Sequence, residues 1–280
     1  MTFLTLILAL VLLYVRGSGG PVQRDQLFYR WQSRVAAWNL GQAVGLGLVV
    51  LLPALLAAWL LDAIDRVLFG LVWIAVATVL LLYSFGRGDF DELIARYRYF
   101  LAAADYQGAW IALSRALGCG FEAAPESTAD RHQRLLRAIV YEACQRWFAV
   151  LLYFLLFGPA GALAYRLLQL CRYQFAAPLV ERCLFFADWL PSRLLAATFM
   201  LAGNFVLSRN VLRDALRDTG LSADVVLAQV ACAAVTEDAP SADDADFGRT
   251  ASEHIAGVRS LLSRSAACWV AVIALWVLID

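Results

Sequence analysis

Apolar residues along this chain fall in long blocks. Residues 42–61 and 67–85 are near-continuous apolar runs joined by a short, net acidic connector, Asp62-Ala-Ile-Asp65-Arg66. An uncharged apolar run of about 20 residues is the length of a membrane-crossing helix, so the pair predicts a helical hairpin. Pro53 falls within its first member and predicts a kink. Met1 to Val15 is a shorter apolar run closed by Arg16. It lacks a basic leader and a small-x-small cleavage signal, so it predicts an uncleaved first helix, short for a span. None of these runs alternates apolar with polar residues as the strands of a membrane barrel do.

The polar stretches assign sides. Gly17 to Gly41 follows Arg16 and carries Arg24, Arg30 and Arg34 against one acid, Asp25. By the positive-inside rule this segment is cytoplasmic, with Trp31 and Trp38 suited to the interface, and the 62–66 connector lies on the far side. Gly86 to Val140 reads as a small helical cytoplasmic subdomain. Asp89 is placed to cap a helix whose apolar positions Phe90, Leu93, Ile94, Tyr97, Phe100 and Leu101 recur at helical spacing. Asp105 starts a second helix, ended by Gly118-Cys119-Gly120, and a third runs from Asp130 through Arg131, Arg134 and Arg137 towards the membrane.

Tyr141 to Gln169 is the longest apolar segment, with Glu142 and Arg146 near its start. Gly158-Pro159 and Gly161 interrupt it before Arg166. Cys171 to Leu190 reads as an interfacial mixed helix, Asp188 to Arg193 as a turn at Pro191, and Leu194 to Leu207 as a short apolar helix holding Asn204. Arg209 to Val235 predicts two amphipathic helices split at Thr219-Gly220. An acidic loop (Thr236 to Phe247), a basic amphipathic helix (Ser252 to Ser265) and a short apolar run (Ala266 to Ile279) follow. The fold class is all-α, a polytopic helical membrane protein of about four to six membrane helices with cytoplasmic amphipathic helices. Its regions are 1–85, 86–140, 141–208, 209–265 and 266–280.

Composition agrees. Hydrophobic residues make up 62% of the 280 residues and charged ones 16%, against about 25% charged in soluble domains. All 23 basic residues are arginine, which excludes a P-loop lysine and a Schiff-base lysine. The net charge of zero gives no global attraction for nucleic acid. Six cysteines and two histidines spell out no metal site.

Three constellations can carry chemistry. Around the Gly158-Pro159 break, a half-helix N-terminus would be electropositive, and Arg146 and Arg166 could clamp a phosphate or carboxylate. Alternatively Glu142 pairs with Arg146 at i,i+4 and the Gly-Pro step only separates two helices. Asp188 and Arg193 bracket Pro191 at a membrane boundary, either as an anion site or as a helix entry with an interfacial tryptophan. Asn204, in an apolar helix, is either functional or an interhelical hydrogen-bonding group. The acids of the loop Glu237 to Asp246 have no calcium-loop spacing.

These motifs together resemble the AmpE family. They are Tyr141-Glu142-x-x-x-Arg146-Trp-Phe-Ala, Gly158-Pro-Ala-Gly-Ala-x-Ala-Tyr165-Arg166, Asp188-Trp-Leu-Pro-x-Arg193-Leu and Leu201-Ala-Gly-Asn204-Phe. The resemblance implies a multi-pass protein of the bacterial inner (cytoplasmic) membrane, a companion of the amidase AmpD, linked to beta-lactamase induction and peptidoglycan recycling. AmpE is in turn similar to the CobD/CbiB proteins of cobalamin biosynthesis, which form an amide bond with ATP and Mg²⁺. After Arg166 this chain reads Leu-Leu-Gln-Leu-Cys-Arg-Tyr, unlike the Asn-Thr-Leu-Asp-Ser-Met-like run of those ligases.

The expectation is a regulatory protein in the bilayer that binds an anionic small molecule, muropeptide- or nucleotide-like, at the cytoplasmic face. Arg146, Arg166 and Arg193 would meet the anion, Glu142, Asp188 and Asn204 would orient it, and Tyr165 adjoins Arg166. The alternative is a membrane-bound ATP-dependent amide ligase, with ATP and Mg²⁺ as cofactors.

Overall fold

The computed structural model describes residues 2–16, 25–65, 70–118, 125–172, 177–236, 239–240 and 246–279. Among them all regular structure is helical. The chain divides into two compact units, Met1–Gly88 with Arg146–Asp188, and Asp89–Gln145 with Trp189–Asp280.

The first unit holds α1 (Thr2–Arg16), α2 (Gln26–Ala37), α3 (Gln42–Ile64) and α4 (Leu71–Ser84). Later α8 (Ala149–Cys171) packs on α3 and α4. The core joins Val35 of α2, Val49 of α3, and Leu167 and Cys171 of α8. The opposite face of α3 stays apolar: Leu51, Leu55 and Trp59, spaced one turn apart, are 56%, 65% and 68% exposed. A helix apolar on every side needs a second apolar environment beyond its packing partners, and lipid supplies it.

Gly158 turns α8 back on itself. Its φ of 68° and ψ of −164° are not helical, and Pro159 cannot donate to the preceding turn. The rings of Tyr153 and Tyr165 stack with centroids 5.0 Å apart. In a straight helix twelve residues would separate them by about 18 Å, so 149–157 and 159–171 form two antiparallel legs. Gly161 is required at the tip, because a Cβ there would lie 2.7 Å from the Tyr153 carbonyl. The interruption expected at this point is therefore a hairpin turn.

The second unit holds α5 (Phe90–Ala102), α6 (Tyr106–Leu117), α7 (Thr128–Ala143), α10 (Phe205–Arg217), α11 (Ala223–Ala234) and α12 (Phe247–Ile279). The expected caps are present. Asp89 accepts hydrogen bonds from Asp91 and Glu92 N–H, Asp105 accepts from Gly108 N–H, and Gly118 closes α6 in the left-handed region. The expected helix start at Asp130 lies at Thr128, after Ser127. Between α7 and α8 a π-helical turn, Cys144–Phe148, was not foreseen. Such turns often mark functional positions.

Two expected breaks are absent. The turn expected at Asp188 to Arg193 is the interior of one helix, α9 (Ala177–Ala202), with Pro191 inside it. Proline deprives the carbonyl four residues earlier of its helical partner. That carbonyl is Ala187 O, and the Tyr153 hydroxyl donates to it at 2.8 Å. The helix therefore continues past its proline with no orphaned acceptor at that position. Likewise, the basic and apolar pieces expected after residue 252 are one helix, α12. The acids Glu237, Asp238, Asp243 and Asp244 lie outside the described residues. Among the described residues four helices are long and apolar enough to cross a membrane: Gln42–Ile64, Thr128–Cys171, Pro178–Ala202 and Phe247–Leu275. The second is the one reversed at Gly158.

Candidate functional site

In the first unit, charge collects where α4 ends. The last carbonyls of a helix have no partner within it. Here Arg87 supplies donors, from Nη1 to Tyr83 O at 2.7 Å and to Phe85 O at 3.2 Å. The same guanidinium pairs with Asp25 at 2.5 Å and lies over the Tyr83 ring, 4.7 Å from its centroid. Arg146, in the π-helical turn, reaches this corner: its Nη1 donates to Gly88 O at 2.8 Å, and its carbonyl accepts from Gly86 N–H at 3.3 Å. A Cβ on Gly86 would stand 2.2 Å from Arg146 Cγ, so glycine is what admits the arginine.

Arg166 comes to the same corner on the returning leg of α8. The Tyr83 hydroxyl feels the charges of Asp25, Arg87 and Arg166 together, and Arg166 Nη1 donates to Gln169 Oε1 at 2.9 Å. Arg146 thus meets the loop after α4 at Gly88, and the hairpin returns Arg166, twenty residues later, to within electrostatic range of Tyr83 and the Asp25–Arg87 pair. The hairpin tip lies elsewhere. Phe157, Pro159 and Ala160 share a recess of about 270 Å³ with Asp62 and Asp65. The electropositive start of the second leg is met there by the protein's own carboxylates, which a helix N-terminus favours.

Tyr165 and Asp188 form a buried pair. The phenol donates to Asp188 Oδ1 at 2.5 Å, and the stacked Tyr153 braces it. The sequence named both residues without foreseeing that they touch.

The remaining sequence-predicted residues lie in the second unit. Arg193 is buried; its Nη2 donates to Leu221 O at 2.8 Å, its Nη1 donates to Ser192 Oγ at 3.2 Å, and it lies over the Trp189 ring. Asn204 does not sit inside an apolar helix. It follows the end of α9 and caps α10, with Oδ1 accepting from Leu207 N–H at 3.2 Å and its own N–H donating to Ala234 O at 2.7 Å. Gly203 permits that corner, since a Cβ would come 2.4 Å from Ala234 O. Glu142 is on α7, half-buried, one turn before Arg146.

A buried polar chain crosses the second unit with little trace in the sequence. The Tyr97 hydroxyl is 2.7 Å from His132 Nδ1, and His132 Nε2 is 3.1 Å from His254 Nδ1. Burial pushes the Tyr97 phenol up. Two histidines 122 residues apart carry no local signal of pairing. The one hint was that each falls on the apolar side of its helix. Among the described residues no three His, Cys, Asp or Glu side chains gather as a metal site.

Also unforeseen was an ion pair between α7 and α11. Arg137 Nε lies 2.5 Å from Asp224 Oδ2. Burial alone would raise the Asp224 carboxyl, but Arg137 and Ser222 hold it below the ordinary carboxylate range.

The family model of AmpE, described as a regulatory signalling modulator protein, matches residues 1–278. The chain belongs to that family. No curated protein and no solved structure matches it.

Proposed function

We propose that this AmpE-family protein is a multi-pass regulator of the bacterial inner membrane that binds an anionic small molecule, muropeptide- or nucleotide-like, at its cytoplasmic face. In this reading the molecule reports on peptidoglycan recycling and the protein passes that state to beta-lactamase induction, in functional partnership with AmpD. The carrying observation is the gathering of Arg87, Arg146 and Arg166 at one end of the first unit. Guanidinium groups recognise phosphate and carboxylate through paired N–H donors. The positive-inside rule puts the arginine end in the cytoplasm and the Asp62/Asp65 end on the far side. Arg146 and Arg166 hold the anion, and the Tyr165–Asp188 pair fixes the returning leg that carries Arg166.

The test is the melting temperature of the purified full-length protein with a muropeptide, with ATP and Mg²⁺, and with a neutral sugar. A shift with the muropeptide, absent in Arg166→Ala, is the expected result. A shift with ATP and Mg²⁺, accompanied by amide formation, would move the reading to the ligase. An Arg166→Ala protein that responds to muropeptide like the parent would end the assignment.

A further inference from the structure

We infer that the second unit carries a separate binding cleft, between α7, α10 and α11, for a small anion with an apolar portion. The cleft has a volume of about 560 Å³, within the roughly 300–1,000 Å³ of small-molecule sites. Gln133, Arg134 and Arg137 line it from α7, and Val225, Gln229 and Cys232 from α11. Arg134 and Arg137 are three residues apart, so both project on one face of α7. Asp224 holds Arg137 through its Nε at 2.5 Å, while the side chain stays 43% exposed. A guanidinium tethered by one edge is oriented at little entropic cost and can offer its other edge to a phosphate or carboxylate. The glutamine amides add polar contacts, and Val225 and its α11 neighbours give the apolar wall. Nothing in the motifs between Tyr141 and Phe205 pointed here. The cleft does not depend on the arginine cluster of the first unit.

Cys232 provides the readout, because it lines the cleft, while Cys268 is exposed on α12 and serves as an internal control. The full-length protein in detergent is alkylated with N-ethylmaleimide, and each cysteine is quantified by peptide mass spectrometry. Hexyl phosphate is the soluble probe, and hexanol and inorganic phosphate are its two halves. Nanodiscs of phosphatidylglycerol or phosphatidylcholine test a lipid source of the same headgroup chemistry.

We expect hexyl phosphate to slow Cys232 alkylation saturably, at least five-fold, with Cys268 unchanged and hexanol without effect. Stronger protection in phosphatidylglycerol than in phosphatidylcholine would also support the cleft and identify the anion as a lipid headgroup. The Arg134→Gln/Arg137→Gln double variant should lose protection. Asp224→Asn, which breaks the tether but keeps both guanidiniums, should retain it. Absence of protection from both sources, equal protection by hexanol, or protection persisting in the double variant would overturn the inference. So would its loss in an Asp224→Asn protein that remains folded at the temperature of alkylation. These outcomes leave the Arg166 test untouched, since that test reads muropeptide stabilisation.

Discussion

The two units handle their polar groups differently. In the first, α3 turns Leu51, Leu55 and Trp59 outward, and the charges described above sit at the ends: Asp25, Arg87 and Arg166 at one, Asp62 and Asp65 at the other. In the second, ion pairs join helices along their exposed sides, as in Arg259 with Asp91 and Arg137 with Asp224, and a Tyr-His-His chain runs through the interior. The first pattern suits helices surrounded by lipid, where a charge is tolerated at the end of a span and expensive midway. The second is how water-exposed helices are usually joined, with weak surface pairs over a packed centre. The contrast teaches that low charge content belongs to the environment of a segment, and that charges gathered at one place in such a segment need a reason.

Breaking the hairpin should have the largest effect. Gly161→Leu forces a side chain against the Tyr153 carbonyl, an overpacking cost of about 3 kcal/mol or more. We expect little folded protein by size-exclusion chromatography. In the second unit, Tyr97→Phe removes the partner of His132 Nδ1 at a buried site. It should destabilise by about 1–3 kcal/mol, seen as a lower melting temperature, whereas Tyr99→Phe on the exposed side of α5 should leave it unchanged.

Smaller effects sharpen the comparison. Tyr153→Phe should cost about 1–2 kcal/mol because Ala187 O then has no donor. In a Pro191→Ala background the restored N–H can serve that carbonyl, so the cost of Tyr153→Phe should shrink. Equal costs in both backgrounds would refute the proline compensation. Asn204→Ala removes the cap of α10 and should lower stability by about 1 kcal/mol.

The ion pair gives the smallest effect. The Asp224 carboxyl is held below its ordinary range in the folded protein. Its contribution is therefore present above the unfolded carboxyl value and lost as pH falls through the folded one. With Arg137 43% exposed it amounts to about 1 kcal/mol or less. Melting of the parent and of Asp224→Asn should differ at neutral pH and converge at strongly acidic pH.

Much of this is legible in the sequence. The helices α3 and α4, the caps at Asp89 and Asp105 and the interruption at Gly158 follow from local rules, since run length, capping side chains and a Gly-Pro step act within a few residues of themselves. The family resemblance rested on the motifs from Tyr141 to Phe205, and the AmpE model matches nearly the whole chain. What local rules misjudged was the turn at Pro191 and the split of α12. A proline stops a helix only if its orphaned carbonyl has no other donor, and Tyr153 supplies one from 34 residues away.

The sequence by itself determined a helical membrane protein, the long apolar helix α3, the point at which α8 is interrupted and the residues that mark its family. Only the tertiary structure decided which of those residues meet. It brought Arg146 and Arg166 to the end of α4 beside an unsuspected Arg87, joined Tyr165 to Asp188, tied Arg193 to Leu221 O and made Asn204 a helix cap. The division has a physical cause. Hydrophobic length and capping are properties of neighbouring residues, whereas the partner of a buried polar group is whichever donor or acceptor the packed helices bring within about 3 Å of it.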